Sequence, residues 1–441
     1  MKYRTKILIF AFCSLAMSGF GAHAGDAMNT VAERYVYLVL ALGQHDPDYV
    51  DAYYGPAEWK TQAEEQKKSL DEIGDEAAKL SVTLTETPIA PGAADSGLRQ
   101  LRREYLHKQL SALVARVRML RGKKLKFDDE SRVLYDAVAP TYPDSHFDQI
   151  IKQLESKIPG TDRQSGSDPL WKRYEEWRKP FVIPKEKLDA VFQAAIKECR
   201  ARTLAHLKLP PNESFTVEYV TNKPWGGYNW YKGNFHSVIQ VNIDLPIYID
   251  RAVDLAAHEG YPGHHVYNSL LEKNLVYGRG WDEFSVYALF SPQSLIAEGT
   301  ANFGREVAFP SKAERMKFEK EVLFPAAGID ASRADEYYAV QDLMKQLDYA
   351  ANEAARRLID GEIGESDAVQ WLQQYTLMDP ARAQQRVKFI KRYRSYVINY
   401  NLGEDMVRHY IEKRAGADPD KRWSEFGKLL SSPRLPSGLT D

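Results

Sequence analysis

The sequence predicts a mainly α-helical protein of the α+β class, with one small β-sheet near the middle of the chain. Over most of the 441 residues, apolar side chains recur at the three- to five-residue steps of a buried helical face. Only residues 214–243 show the period of two that indicates strands. We therefore expect a helical scaffold that carries one small sheet.

The N terminus has the layout of a secretory signal peptide. Three basic residues precede an uncharged run that ends in the small-residue cleavage site Ala22-His23-Ala24, so we expect residues 1–24 to be removed. The uncharged run is shorter than the roughly 20 apolar residues that span a bilayer. Phe12 precedes Cys13, where a lipoprotein signal has a small residue. We therefore expect a periplasmic or secreted protein without a membrane anchor after signal cleavage.

Charge and cysteine content narrow the possible classes of protein. With 59 basic and 61 acidic residues, the chain offers no electrostatic case for a nucleic-acid partner. Only Cys199 remains after cleavage, so neither an intrachain disulfide nor a cysteine-based zinc site can form. Packing, or a metal held by other ligands, must stabilise the fold.

Apolar stripes and linker composition divide the mature chain. The stripes predict long helices over residues 98–120, 185–207, 333–359 and 380–396. Glycine and proline mark linkers at 83–97 and 159–169. We expect an N-terminal helical portion (25–160), a catalytic portion (161–416) and a polar, loosely packed C-terminal tail (417–441).

The strand-like segment lies directly before the most reactive part of the chain. Alternation at Phe215, Val217 and Tyr219, and again from residue 235 onwards, predicts two strands joined by a glycine- and aromatic-rich turn at 225–233. We expect strand 234–243 to have an open edge that binds an extended peptide. The aromatic residues at 225–231 either line the same cleft or simply pack.

A cluster of histidines marks the candidate chemical centre. Three of the ten histidines and one glutamate fall within His258-Glu259-Gly260-Tyr261-Pro262-Gly263-His264-His265. His258 follows the apolar run 255–257, so we expect it to point inward, where a divalent metal is a suitable partner. A polar surface patch is the alternative interpretation.

The histidine spacing does not fit a regular helix. The familiar zinc-protease pattern has histidines at i and i+4 and a glutamate base at i+1. Here position i+4 is Pro262, and a histidine at i+6 on a regular helix would lie about 120° off the face and about 9 Å along the axis. At i+7 the face is right, but the axial gap of about 10.5 Å would place two ligands nearly opposite each other.

Proline and glycine suggest how the helix accommodates this spacing. Pro262 cannot donate to the carbonyl of His258, and Gly263 permits backbone angles closed to other residues. We therefore expect a two-residue excursion that returns His264 to the position of a ligand. His265 is the alternative ligand, and otherwise a catalytic group behind the ligands or facing the substrate.

A third ligand is expected from another helix, because catalytic zinc typically has three protein ligands and one open position. Glu298 lies 40 residues after His258 among small and apolar neighbours, where an unpaired carboxylate is costly. We expect Glu298 to complete a Zn²⁺ site with His258 and His264. A salt bridge from Glu298 to Arg305 or Arg251 is the alternative.

The motifs resemble those of a known family. The histidine string, Glu298-Gly299 and Tyr400-Asn401-Leu402-Gly403 are similar to the bacterial domain-of-unknown-function family numbered 885, a relative of the gluzincin metallopeptidases. The resemblance covers most of the mature chain, although Thr300 and Asn401 stand where the family commonly has tryptophan and lysine. It implies a helical gluzincin-like fold with a deep cleft and a small sheet before the metal-binding helix.

Together these features predict a zinc-dependent hydrolase, and most specifically a peptidase. We expect Glu259 to act as general base. The resemblance suggests that the phenol of Tyr400, with Tyr396 behind it, stabilises the oxyanion; a half-buried aromatic is the alternative for either residue. A non-catalytic periplasmic metal-binding protein, or a zinc hydrolase of a non-peptide amide such as cell-wall fragments, would use the same ligands and stays open.

Overall fold

The computed structural model describes residues 24–89, 95–160, 168–223 and 225–440. Residues 1–23, which hold almost all of the predicted signal peptide, and most of the predicted linker 159–169 lie outside this set. The mainly helical class is confirmed, with 69% of the protein in helices and 7% in strands. No helix in the described part is long and apolar enough to cross a membrane.

The described residues of the first half form eight helices and one short strand. They are α1 (Ala24–Leu42), β1 (Val50–Tyr53), α2 (Ala57–Gln66), α3 (Leu70–Glu86), α4 (Ser96–Leu120), α5 (Phe127–Tyr135), α6 (Asp144–Lys157), α7 (Leu170–Arg178) and α8 (Leu188–His206). The predicted helices 98–120 and 185–207 correspond to α4 and α8. The predicted linker 83–97 is shorter than expected, because α3 continues to Glu86.

Three strands, not two, form the central sheet: β2 (Ser214–Val220), β3 (Gly227–Tyr231) and β4 (His236–Asn242), in the order β2-β4-β3. The aromatic-rich segment that we predicted as a turn forms β3, in keeping with the strand preference of tyrosine and tryptophan. Strand β4 pairs in parallel with β2 and antiparallel with β3. The prediction of an open edge on strand 234–243 is therefore wrong, because β4 is paired on both sides.

The second half is almost entirely helical in the described residues. Its elements are α9 (Asp250–Leu255), α10 (His264–Leu271), β5 (Val286–Ala288), α11 (Pro292–Ala308), α12 (Lys312–Phe318), α13 (Phe324–Ala327), α14 (Ala334–Lys345), α15 (Ala350–Asp360), α16 (Glu365–Tyr375), α17 (Pro380–Tyr393), α18 (Ile398–Ala415) and α19 (Pro419–Leu430). The predicted helix 333–359 is divided, because tight turns at residues 346–349 separate α14 from α15.

The C-terminal segment is not a loosely packed tail. Helix α19 has buried apolar side chains at Trp423, Phe426, Leu429 and Leu430. Beyond it, Leu435 and Leu439 are buried as well. This apolar stripe at helical spacing was missed in the sequence, because polar residues separate its members.

The N-terminal portion reaches the centre of the molecule through β1. This strand pairs antiparallel with β5, with Tyr53 opposite Val286 and Ala52 opposite Tyr287. A register shift between Val50 and Ala52 leaves Asp51 without a partner in the ladder. Because β5 leads directly into α11, the pairing positions Asp51 near the helix that carries Glu298.

Candidate metal centre

The helix that carries His258 is interrupted where the sequence predicts. Helix α9 continues as a π-helical turn, Ala256–Gly260, which holds His258 and Glu259. The backbone is then extended at Tyr261, with φ −118° and ψ 116°, and α10 begins at His264. The two histidines therefore lie on separate helical segments joined by a short excursion.

Gly263 is needed because the backbone of this excursion passes very close to the preceding turn. Its N–H donates to the carbonyl oxygen of Ala257 over 2.8 Å. A Cβ atom at Gly263 would lie 1.9 Å from the carbonyl oxygen of His258. No side chain fits in that space, so the excursion needs glycine at this position.

His258, His264 and Glu298 come together at one point. The Nε2 atoms of the two histidines are 3.1 Å apart. Oε2 of Glu298 lies 3.4 Å from Nε2 of His258 and 3.7 Å from Nε2 of His264. A triangle with these sides has a centre about 2.0 Å from each corner, close to the length of a zinc–nitrogen or zinc–oxygen bond. The donor atoms therefore fit a single zinc-sized cation.

Glu298 is buried and only partly satisfied. Its Oε1 accepts a hydrogen bond of 2.8 Å from the Tyr396 hydroxyl. Its Oε2 is buried and has no hydrogen-bond partner among the described residues. Burial raises the pKa of Glu298, but the two imidazoles lower it further, so the net pKa shift is downward. An ionised, buried oxygen that accepts no hydrogen bond is costly unless a cation lies beside it.

The alternative partners of Glu298 are engaged elsewhere. Arg305 and Arg251 both contact the carboxylate of Asp254, one turn before His258. Neither arginine forms an ion pair with Glu298 in the described part of the chain. Glu298 therefore does not form the salt bridge to Arg305 or Arg251 that was the alternative prediction.

Asn302 orients the first histidine from one turn farther along α11. Its Oδ1 lies 2.8 Å from Nδ1 of His258, and its Nδ2 donates to the carbonyl oxygen of Tyr400 over 2.8 Å. A proton on Nδ1 leaves Nε2 with the lone pair that a metal needs. Burial lowers the pKa of His258, but the carboxylates of Glu259 and Glu298 raise it to about 9.

His265 does not join this cluster. Its side chain is fully buried, with Nδ1 2.9 Å from Oγ of Ser237 and Nε2 2.9 Å from Oε2 of Glu213. Neighbouring side chains at the start of a helix point about 100° apart, so His265 faces the sheet while His264 faces Glu298. The expectation of a catalytic His265 that faces the substrate is therefore corrected.

The Glu213 carboxylate ties both ends of the excursion together. Its Oε2 accepts from the Tyr261 hydroxyl at 2.5 Å and from His265 at 2.9 Å, and Arg200 donates to Oε1 at 2.6 Å. Burial raises the pKa of Glu213, but the hydrogen bonds from His265, Tyr261 and Arg200 lower it overall. Tyr261 and His265 flank Pro262, Gly263 and His264, so this carboxylate fixes the path that delivers His264.

Glu259 and Tyr400 lie beside the cluster. Glu259 is buried, and a Cβ atom at Gly227 of β3 would be 2.9 Å from its Oε1. The half-buried Tyr400 ring packs against Tyr396 at a centroid distance of 5.8 Å. Burial, with added repulsion from Glu298 and Glu259, raises the pKa of Tyr400, so its hydroxyl keeps its proton.

Besides Glu213, the structure adds a second acidic residue that the sequence analysis did not single out. The Asp51 carboxylate accepts a hydrogen bond from the Tyr228 hydroxyl of β3. Burial raises the pKa of Asp51 to about 6, and its surroundings include His264, Glu298 and Glu259. No spacing rule connects Asp51 with His258, because their proximity arises only when β1 pairs with β5.

Comparisons with protein-family models and with curated proteins found no match. Among solved structures, the chain is similar to "the putative lipoprotein from Colwellia psychrerythraea", with a TM-score of 0.51 and 14% identity over 84% of this chain and 68% of that one. A second structure, "a putative lipoprotein of unknown function from Shewanella oneidensis", has a TM-score of 0.44 and 13% identity over 86% and 74% of the two chains. At this identity, the likeness to the Colwellia protein is one of fold alone.

Proposed function

We propose that this protein is a periplasmic or secreted zinc-dependent hydrolase, and specifically a peptidase with a gluzincin-like fold and cleft. The observation that carries the proposal is the triangle of donor atoms from His258, His264 and Glu298, with a buried carboxylate oxygen that lacks any other partner. Two imidazoles and one carboxylate are the ligands of many catalytic zinc sites.

The three ligands would hold Zn²⁺ and leave one position open. A zinc ion bound there supplies Lewis-acid polarisation of a carbonyl group and lowers the pKa of water toward neutrality. Asn302 holds His258 with Nε2 available to the metal, and Tyr396 holds Glu298 through Oε1. Such partners of the ligands increase metal affinity by fixing orientation.

Glu259 and Tyr400 supply the proton transfer and the second stabilising donor. The Glu259 carboxylate accepts the proton of the attacking water and delivers it to the leaving amine. The Tyr400 hydroxyl, whose raised pKa keeps it protonated, donates to the oxyanion as it forms.

A peptide substrate is favoured by the position of β3. Within the described residues this strand pairs only with β4, so its other edge can bind an extended chain. Asn229 of β3 donates to the carbonyl oxygen of Glu259 over 2.7 Å, so the strand is adjacent to the proposed base. A peptide along β3 would place its backbone next to Glu259.

The test combines metal analysis with a peptide-library digest of the mature protein and of Glu259→Gln. The wild type should bind one zinc per chain and cleave peptides, and a chelator should abolish cleavage. Glu259→Gln should keep its zinc but lose roughly 100- to 10,000-fold in rate. Glu362→Gln, a change at an exposed carboxylate, is the matched control.

Three results would count against parts of this proposal. Full activity of Glu259→Gln would remove Glu259 as the base. Stoichiometric zinc without cleavage of any peptide would favour the metal-binding protein or the hydrolase of a non-peptide amide. Cleavage that survives removal of all metal would remove the metal centre from the mechanism.

A further inference from the structure

The Asp51 carboxylate beside the proposed metal centre has no cationic partner. It lies at the register shift of β1 and accepts a hydrogen bond from Tyr228. No lysine or arginine of the described residues forms an ion pair with it. A half-buried carboxylate close to other carboxylates is favoured by a cationic partner, so the missing partner needs an explanation.

Two contacts place Asp51 on the side of the proposed metal centre that holds Glu259. Tyr228, its partner, follows Gly227, which packs against the Glu259 carboxylate. Tyr287 of β5 is opposite Ala52, and its buried hydroxyl has no hydrogen-bond partner among the described residues. The carboxylates of Asp51 and Glu298 both raise the pKa of Tyr287, after burial.

Charge balance indicates which charge a substrate would bring to the proposed site. With neutral imidazoles, a dication is balanced by two carboxylates, and Glu298 and Glu259 supply these. The Asp51 carboxylate is then one negative charge in excess. A substrate that brings one positive charge would complete the balance.

We propose that Asp51, held by Tyr228 and assisted by the Tyr287 hydroxyl, binds the protonated amino terminus of the substrate. This inference rests on the proposed peptidase function and specifies it: the enzyme removes residues from the amino-terminal end of peptides. An ammonium group has three donors, two of which match the second Asp51 oxygen and the Tyr287 hydroxyl. A charge-assisted contact in a buried site contributes more than a neutral one.

The experiment measures peptide binding to a variant that does not turn over. Zinc-loaded Glu259→Gln is titrated calorimetrically with a short peptide that has a free amino terminus, and with the same peptide acetylated at that terminus. We expect the free peptide to bind roughly 10- to 100-fold more tightly. Adding Asp51→Asn should remove the preference, whereas adding Asp144→Asn, at a surface ion pair with Arg357, should not.

Further arms identify the source of the ammonium group and guard against misfolding. An acetylated peptide with an internal lysine should bind as weakly as its lysine-free counterpart. Tyr228→Phe keeps the Asp51 carboxylate but removes its hydrogen bond, so it should reduce the preference for the free amino terminus. This variant takes the place of Asp51→Asn in the test if Asp51→Asn does not fold.

Several outcomes would overturn the proposal. Equal binding of the free and acetylated peptides, binding of neither, or a preference that persists in Asp51→Asn would each do so. Tight binding of the lysine-containing acetylated peptide would assign the site to a side chain instead. Because binding is measured without turnover, these outcomes are distinct from a failure of the wild type to hydrolyse peptides.

Discussion

His264 and His265 are neighbours in sequence and occupy opposite environments. Both ring nitrogens of His265 have partners, in Ser237 and Glu213, and its side chain is fully buried. The Nε2 atom of His264 instead faces a second Nε2 atom and a carboxylate oxygen that accepts no hydrogen bond. Saturated polar groups hold a fold together, whereas ligand-type nitrogen and oxygen atoms that converge on one point suit a cation.

Replacing each histidine with alanine tests most directly whether His264 and His265 have different roles. His264→Ala should weaken zinc binding on the order of 1000-fold, because one of three ligands is lost, with little change in the stability of the zinc-free protein. His265→Ala should lower the free energy of unfolding by about 3 kcal/mol, because it leaves Ser237 and Glu213 short of partners. Chelator competition and urea denaturation measure the two quantities. The reverse pattern would contradict the assignment.

Gly263→Ala tests the excursion that separates the two environments. Its Cβ would collide with the carbonyl oxygen of His258, so the path must shift and His264 moves with it. We expect a loss of about 3 kcal/mol in stability and at least a tenfold loss in zinc affinity. Gly97→Ala is the control, since nothing lies within 4 Å of a Cβ there. Equal behaviour of the two variants would mean that the excursion is not tightly constrained.

Asn302→Ala tests the hydrogen bond that orients the His258 ring. Without its amide oxygen, Nδ1 of His258 loses the partner that fixes the ring. Zinc affinity should fall roughly 10- to 100-fold. Asn212→Ala, at an exposed position, should leave zinc affinity unchanged. An unaltered affinity in Asn302→Ala would show that the ring orientation is set by other contacts.

Glu213→Gln tests the structural role of the Glu213 carboxylate through the pH dependence of stability. Because the folded-state pKa of Glu213 is lowered, its stabilising contribution is present above its unfolded pKa of roughly 4.3 and is lost as pH falls from there through the lower folded-state pKa. The variant should therefore be less stable than the wild type at neutral pH, and the difference should shrink as the pH is lowered through roughly 4. Denaturation across this pH range measures it. A difference that stays constant would mean that the Glu213 charge contributes nothing.

Local chemistry made the convergence of His258, His264 and Glu298 predictable. Pro262 and Gly263 explain how a six-residue spacing can bring two imidazoles to one point, and the apolar surroundings of Glu298 indicate that its charge needs a partner. The same reasoning could not identify Asp51, Tyr228 or Glu213. These residues reach the centre through strand pairing and helix packing between distant parts of the chain, which no local pattern records.

The fold was predictable to a similar degree. Apolar stripes located α4 and α8, but the stripe over 333–359 could not reveal the tight turns that divide it. Segment 225–233 combines glycines, which favour turns, with aromatics, which favour strands, and the strand preference prevailed in β3. In α19, charged residues between Trp423 and Leu430 concealed a buried face.

The most direct test is a crystal of the protein grown with zinc, with anomalous scattering recorded at the zinc absorption edge. We predict one strong peak within bonding distance of Nε2 of His258, Nε2 of His264 and Oε2 of Glu298, with His265 still bonded to Glu213. A peak bound to His265, or no ordered zinc between the three predicted ligands, would contradict the account.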